Sequence, residues 1–256
     1  MLWNKFPHIS RMKKCLIGFV LFASWQLHFT NASELKLRQS KLKGLLVQPL
    51  SNGNFAGKAS QMNATATPLD KRDNPITIRF NQRVGKAMDS ALKEVTKYLR
   101  VKHDTWPSGY DIEIAFEDRF TAKDGPSAAI CCALLLDSLV TGHTIDPFFA
   151  VTGDMNADGS VQPVGGVPAK VRGAFSKSCK YVAIPTKNAR SLSDLVLLNG
   201  INTVSRIQVF TIDDFDEAAK IAFTDKDQDI KTSIEEFNKI QSAIFRHKTG
   251  VLKNAK

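Results

Sequence analysis

The 256-residue sequence predicts a mixed α/β (α+β) fold in which helices pack on β-sheets. Short apolar or alternating runs that are typical of strands recur along the chain, and amphipathic repeats with helical spacing separate them. One apolar run, residues 128–140, is long enough for a helix that is buried on most sides. Residues 33–256 suffice for a domain that buries about 70% of its unfolded surface.

Each helix, strand and loop is predicted from its local sequence pattern and from the turn-forming residues that bound it. Residues 51–75 are rich in Gly, Asn, Thr and Ser and predict a loop region, and residues 156–159 predict a turn. Strands are predicted at 44–49, 76–80, 110–116, 148–152, 181–184 and 206–211. Helices are predicted at 84–99, 126–141, after Lys170, at 191–198, 215–223 and 230–244.

The N-terminal segment has the three-part layout of a secretory signal. Four basic residues precede an apolar run at 15–25, and small residues stand at Thr30 and Ala32. The run is shorter than the roughly 20 residues that a spanning helix needs. We therefore predict a signal peptide at 1–32, a mature chain from Ser33, a secreted or periplasmic location and no stable membrane span. An uncleaved anchor, lengthened by residues 26–29, is the alternative.

Composition and spacing exclude several classes of function. The formal charge of +10 falls to +6 once the four cations of the signal are removed. The basic stretch 36–43 alternates with leucines and predicts an edge strand or tether, and no aromatic interleaving supports nucleic-acid binding. Three cysteines remain, Cys131, Cys132 and Cys179, which predict small core residues rather than disulfides. No metal-site spacing is present, so we predict no metal or cofactor.

Two segments carry the residues that a Ser-Lys hydrolase needs. The first, Lys-Asp-Gly-Pro-Ser-Ala at 123–128, places Ser127 at a Gly-Pro turn that opens the apolar helix, which Gly142 then ends. Free N–H groups at that helix start carry roughly half a positive charge, which suits a developing oxyanion. The second, Pro-Val-Gly-Gly-Val-Pro-Ala-Lys at 163–170, delivers Lys170 from a small-residue loop. A lysine can act as base only if burial lowers its pKa from about 10.4 to about 7–8.

These segments, and the stretch between them, resemble the proteolytic domain of Lon, a family of serine peptidases. Thr-Gly-Asp at 152–154 stands where Lon has Thr-Gly-Glu, and Gly-Ser-Val-Gln-Pro at 159–163 matches its Gly-x-Val-x-Pro. The resemblance covers residues 44–223 and is most specific between Lys123 and Lys170. It predicts a Lon-type domain at 33–224, followed by a helical extension at 225–256 with no counterpart in the family.

The resemblance also implies an activity and its residues. It implies a serine endopeptidase in which Ser127 attacks, Lys170 is the base and Thr152 orients Lys170. Asp124, Gly125 and Asp154 are supporting residues that shape the site. The sequence has no Walker motif, so we expect ATP-independent hydrolysis of peptides or unfolded proteins. Lon domains pack as rings of six, so a homo-oligomer is expected, with the extension as a possible contact.

Two departures from the family pattern keep alternatives open. Asp154 replaces a Glu, and Ala129 replaces the second Gly of Gly-Pro-Ser-Ala-Gly. The first alternative is therefore a catalytically inactive binding module with the Lon fold. The second is a Ser-His-Asp hydrolase that uses His103 or His143, although the chain lacks the Gly-x-Ser-x-Gly elbow around its serine.

Overall fold

The computed structural model describes residues 35–253 except 52, 54, 105 and 119–122, and only the backbone at Asn199 and 247–253. The predicted signal at 1–32 lies outside the described residues. Within the described ranges, no helix is both long enough and apolar enough to cross a bilayer.

A mixed seven-stranded sheet forms the centre of the fold, with strand order β3-β4-β2-β1-β5-β8-β9. Strands β1–β2 and β2–β4 pair antiparallel, whereas β3–β4, β1–β5, β5–β8 and β8–β9 pair parallel. A separate two-stranded hairpin joins β6 and β7. The strands are β1 (Arg38–Pro49), β2 (Phe55–Pro68), β3 (Thr77–Phe80), β4 (Tyr110–Phe116), β5 (Phe149–Val151), β6 (Asp154–Met155), β7 (Val161–Gln162), β8 (Tyr181–Pro185) and β9 (Gln208–Ile212).

The helices connect and cover these strands. They are α1 (Lys86–Lys102), α2 (Ala129–Thr141), α3 (Val167–Ser176), α4 (Ser191–Asn199), α5 (Ile201–Val204), α6 (Phe215–Ala222) and α7 (Gln228–Lys253), with 3₁₀ turns at Pro126–Ala128 and Thr186–Asn188. The predicted mixed α/β fold is therefore confirmed. Strand β4 has the predicted bounds, and α2 ends at Gly142, whose φ of 81° places it in the left-handed region.

Helix α2 is buried because its sequence is apolar on every side. Eleven consecutive residues, Ala129 through Leu139, are buried. Cys131 and Cys132 are among them, and both are free thiols, as is the buried Cys179. The prediction that the cysteines are core residues is therefore confirmed. A helix so enclosed gives its N-terminal turn a rigid support.

Two predictions about the first third of the chain are wrong. Residues 55–68, inside the predicted loop region, form β2, which pairs with β1 on one side and β4 on the other. The basic stretch 36–43 is neither an edge strand nor a tether, because from Arg38 onward it belongs to β1, an inner strand of the sheet. The side chains of Lys41 and Lys43 point away from the core on alternate positions, while Ser40 and Leu42 are buried.

Helix α7 confirms the predicted helix at 230–244 and extends it at both ends. Its polar side chains contact the chain's own domain: Gln208 Nε2 donates to Ser233 Oγ over 2.9 Å, and Gln241 Nε2 donates to Ser205 O over 3.1 Å. The Arg206 guanidinium also lies 4.8 Å from the centre of the Phe245 ring. These contacts place α7 against its own domain.

Candidate active site

The turn that carries Ser127 needs a glycine before it. Gly125 has φ 99° and ψ 143°, a conformation that side-chain-bearing residues rarely adopt. Pro126 follows as the first residue of a 3₁₀ turn, where its missing N–H is no loss, and α2 begins at Ala129. Ser127 therefore lies, partly buried, in the tight turn that leads into the most buried helix of the fold.

The end of β5 holds this turn from the opposite side. The Ser127 carbonyl accepts one hydrogen bond from Thr152 Oγ1 and a second from the Gly153 N–H, both over 3.1 Å. The Ile130 N–H in turn donates to Gly153 O over 3.3 Å. Three hydrogen bonds to Thr152 and Gly153 therefore fix the backbone at Ser127 and at the start of α2.

Lys170 comes from α3, and the predicted small-residue loop ends before it. The helix begins at Val167, so Lys170 lies in its first turn. The lysine side chain is 2% exposed, and burial lowers the pKa of Lys170 from 10.5 to about 8. Its Nζ donates to Thr152 Oγ1 over 3.1 Å. Thr152 itself is fully buried.

The hydroxyl group of Thr152 has one proton, and the acceptor of that proton determines which hydrogen bonds the Lys170 amine can make. Thr152 Oγ1 donates that proton to the Ser127 carbonyl, so it can only accept from Lys170 Nζ. A neutral amine that gives one N–H to Thr152 keeps its lone pair for another proton donor. Among the described residues, Ser127 Oγ makes no hydrogen bond, so its proton is not engaged elsewhere. The structure thus brings Ser127, Thr152 and Lys170 together around one hydroxyl.

Asp124 lies beside the serine turn and faces the start of α1. Its Oδ1 accepts from the Gly125 N–H over 2.7 Å and from the Met88 N–H, in the first turn of α1, over 3.4 Å. A Cβ on Gly85 would lie 2.0 Å from the Asp124 Cγ, so a side chain there would displace the Asp124 carboxylate. Asp124 therefore links the serine turn to the N-terminus of α1.

Asp154 does not contact Lys170. Its Oδ1 accepts from the Met155 N–H over 2.8 Å. Burial raises the pKa of Asp154, and the negative charge of Glu94 on α1 adds to that rise. The carboxylate therefore faces α1. Burial is the cause of the lowered pKa of Lys170, and among the described residues no carboxylate raises that pKa in opposition.

The predicted histidines lie apart from the serine. His103 Nε2 is 2.8 Å from Asp137 Oδ1, and burial raises the pKa of Asp137. Asp137 lies about 12 Å along α2 from Ala129, at ~1.5 Å per residue. His143 packs its ring against Phe223. The His-Asp pair therefore serves the far end of α2. Within the described ranges, no three metal-ligating side chains come together.

The start of α2 offers one backbone donor beside the serine. The 3₁₀ turn engages the N–H groups of Ala128 and Ala129, the latter with Pro126 O, and the Ile130 N–H is taken by Gly153. Within the described part of the chain, the Ser127 N–H donates to no residue. This group can receive an oxyanion. The sequence did not indicate the role of Gly153, because a hydrogen bond made by a backbone N–H cannot be recognised from the residue type.

Comparisons with known proteins identify the family that this sequence matches. Residues 77–225 match the family model of the Lon protease (S16) C-terminal proteolytic domain. The Lon protease of Desulfovibrio desulfuricans is 28% identical over 149 residues, which cover 56% of this chain and 16% of that protein. Lon protease 1 of Thermus thermophilus is 32% identical over 147 residues, covering 55% of this chain and 18% of that protein.

A third relative matches a shorter stretch more strongly. The Lon protease of Methanosarcina barkeri is 40% identical over 85 residues, which cover 33% of this chain and 11% of that protein. The chain thus spans less than a fifth of the length of these three relatives.

Proposed function

Because the chain belongs to the family of Lon protease (S16) C-terminal proteolytic domains, we propose that it is a serine endopeptidase with a Ser127–Lys170 dyad. The observation that carries the proposal is the shared hydroxyl of Thr152, which bonds both the Lys170 amine and the Ser127 carbonyl. A lysine of pKa about 8 is substantially neutral at mildly alkaline pH and can accept a proton. Serine needs such a base to become a nucleophile.

The proposed reaction proceeds in two halves. Lys170 Nζ accepts the hydroxyl proton while Ser127 Oγ bonds to the scissile carbonyl carbon, whose oxygen becomes an oxyanion. The N–H group of Ser127 stabilises that oxyanion. The Lys170 ammonium then gives the proton to the departing amine, and an acyl-enzyme remains. Water, deprotonated by Lys170, hydrolyses this ester and restores Ser127.

The proposed substrates are flexible peptides and unfolded chains. An extended backbone must reach a serine that is only partly exposed, and the chain has no Walker motif with which to drive unfolding. We extend the proposal to hydrolysis without nucleotide by this 256-residue chain. The signal-like layout at 1–32 supports export, and N-terminal sequencing of exported protein should return Ser33.

Self-association is a separate proposal, supported by the ring packing that the family resemblance implies. Because α7 contacts its own domain, such a ring would form through other surfaces of the chain. Light scattering across a concentration series should show an assembly whose dissociation lowers specific activity. A fully active monomer would contradict it.

The function is tested by digesting a peptide library with the wild-type protein and with Ser127→Ala. We expect cleavage by the wild type, with and without ATP, and none by the variant. The alternative, an inactive module with the Lon fold, is favoured by the missing hydrogen bond between Ser127 Oγ and Lys170 in the free protein. A folded wild type that cleaves no peptide and reacts with no phosphonate probe would establish it.

A further inference from the structure

Helix α3, which carries Lys170, lies directly on the end of strand β2. A Cβ built on Gly57 would lie 1.6 Å from the Ala169 carbonyl oxygen, 2.2 Å from its carbon and 2.8 Å from the Lys170 nitrogen. All three atoms are backbone, so no side-chain rotation could relieve the contact. The peptide that joins Ala169 to Lys170 therefore rests against the bare Cα of a glycine.

One turn further along α3, a second glycine completes the contact. A Cβ on Gly173 would lie 2.5 Å from the Gly57 carbonyl carbon and 2.6 Å from the Lys58 nitrogen. Residues four apart share one face of a helix, so Ala169 and Gly173 present the same face to β2. Helix and strand approach at backbone distance because neither Gly57 of the strand nor Gly173 of the helix has a side chain.

Strand β1 supports the beginning of the same helix. Gly166 precedes α3 with φ 71°, and a Cβ there would lie 2.6 Å from Val47 Cγ1. Val47 is the direct partner of Gly57 in the β1–β2 register. The end of the β1–β2 hairpin thus meets α3 at three places, on both sides of Lys170 in the sequence. We call Val47, Gly57 and Gly173 the lysine seat.

We propose that the lysine seat positions Lys170, and that Gly57 is its central positioning residue; the proposal rests on the proposed function, in which Lys170 is the base. Gly57 touches neither substrate nor the reacting atoms. It acts by letting the Ala169–Lys170 peptide come close enough for the Lys170 amine to reach Thr152 inside the buried site. No motif of the sequence marks Gly57, since it lies on β2, far from both catalytic segments.

The size of the displacement follows from contact distances. Non-bonded carbon and oxygen atoms settle at about 3.5 Å, so an alanine at 57 must push the Ala169 carbonyl away by roughly 2 Å. The 3.1 Å bond from Lys170 Nζ to Thr152 Oγ1 does not survive such a shift, because hydrogen bonds weaken beyond about 3.2 Å. A gap would also admit water to the lysine. Both effects move the base out of line with the serine, and a 1 Å misplacement can cost about 10²-fold in rate.

The test follows the titration of Lys170 by NMR in protein labelled with ¹³Cε-lysine. The Lys170 resonance is assigned as the one that is missing from the spectrum of Lys170→Arg. In the wild type, the midpoint should lie near the pKa of about 8. In Gly57→Ala, we expect it to rise by at least about one unit, because the lysine gains water. In the same variant, kcat should fall about 10²-fold with little change in KM. Gly165→Ala is the matched control: that residue is exposed, and its Cβ would meet no atom within 4 Å, so the wild-type midpoint should persist.

The outcomes separate the two proposals. A folded Gly57→Ala variant with unchanged midpoint and unchanged kcat overturns the lysine seat. Should that variant not fold, Val47→Ala decides, since it removes atoms from the seat and creates no clash. It should raise the midpoint measurably and lower kcat several-fold, and wild-type values for both would overturn the proposal. A wild type that hydrolyses nothing refutes the proposed function, while the titration still reports whether the seat positions Lys170.

Discussion

The serine and the lysine of the candidate site are held by different kinds of interaction. Ser127 sits in the turn before a helix whose residues 129–139 are all buried, and the two residues after β5 fix this turn by hydrogen bonds. Lys170 sits on a shorter helix whose backbone touches strand β2 through glycines. The serine side therefore depends on apolar burial and hydrogen bonds, and the lysine side depends on the absence of side chains.

This difference predicts opposite sensitivities. Removing a methylene from a buried helix lowers the stability of the fold, but the hydrogen bonds still hold the helix terminus in place. A backbone contact without side chains cannot gain even a methyl group without moving the helix. Perturbations of the lysine side should therefore change catalysis and the titration of the base, whereas perturbations of the α2 core should mainly change stability.

The largest effect is expected for Lys170→Arg. Arginine remains protonated in proteins, so it can occupy the site but cannot accept the serine proton. We expect kcat/KM for a peptide substrate to fall by about 10³-fold or more while the circular dichroism spectrum is retained. Lys177→Arg, an exposed lysine just after the same helix, should behave like the wild type. Substantial activity in Lys170→Arg would remove lysine as the base.

The burial of Lys170 should also make the free energy of unfolding depend on pH, which can be measured without substrate. Its folded pKa lies below its unfolded value of 10.5, so between pH 8 and 10.5 the unfolded chain binds the extra proton, and stability rises with pH in that window. Relative to Lys170→Met, the wild type should gain about 3 kcal/mol across it, the equivalent of the shift in pKa. Urea denaturation of both proteins at several pH values measures the difference, and parallel curves would contradict it.

Thr152→Val removes the hydroxyl that joins the two sides while nearly keeping the shape. The Ser127 carbonyl then retains only the Gly153 donor, and Lys170 Nζ loses its partner. We expect a loss of about 1–3 kcal/mol in unfolding free energy and a fall of about 10- to 100-fold in kcat. Thr152→Ser keeps the hydroxyl and should retain most of the activity. Equal losses in both variants would mean that the methyl group, not the hydroxyl, matters.

The smallest effect is expected at Asp124, which accepts hydrogen bonds from the Gly125 N–H and from the start of α1. Asp124→Asn weakens the charge at the start of that helix and should lower stability by about 0.5–1 kcal/mol. Activity should fall only a few-fold, with no change in its pH dependence. Asp73→Asn, at an exposed position, serves as the control. A loss comparable to that of Lys170→Arg would instead place Asp124 in the chemistry.

The sequence predicted the serine side of the fold well, because its signals are local. A glycine, a proline and an apolar run mark the turn and α2, and β4 alternates visibly from residue 110 to residue 116. Strand β2 was missed because its buried positions carry alanine, serine and methionine instead of the large β-branched residues that mark strands. Those buried positions still alternate, at Ser60, Met62, Ala64 and Ala66, and that period of two was the available signal.

The lysine seat could not be predicted in the same way. Gly57 and Gly173 are far apart in sequence, and a glycine in a polar stretch is ordinary in turns. Their importance comes from the contact between strand and helix, which only the assembled fold contains. The burial of Lys170 is similar: the sequence indicated that its pKa must fall, and the packing of α3 shows how burial lowers it.

The pH dependence of covalent labelling of Ser127 by a phosphonate probe tests the central claim most directly. If neutral Lys170 activates Ser127, the labelling rate should rise about tenfold between pH 7 and pH 9, with one midpoint near 8, and vanish in Lys170→Arg. A rate that is independent of pH, or one that survives in Lys170→Arg and is lost in His103→Gln, would contradict the account.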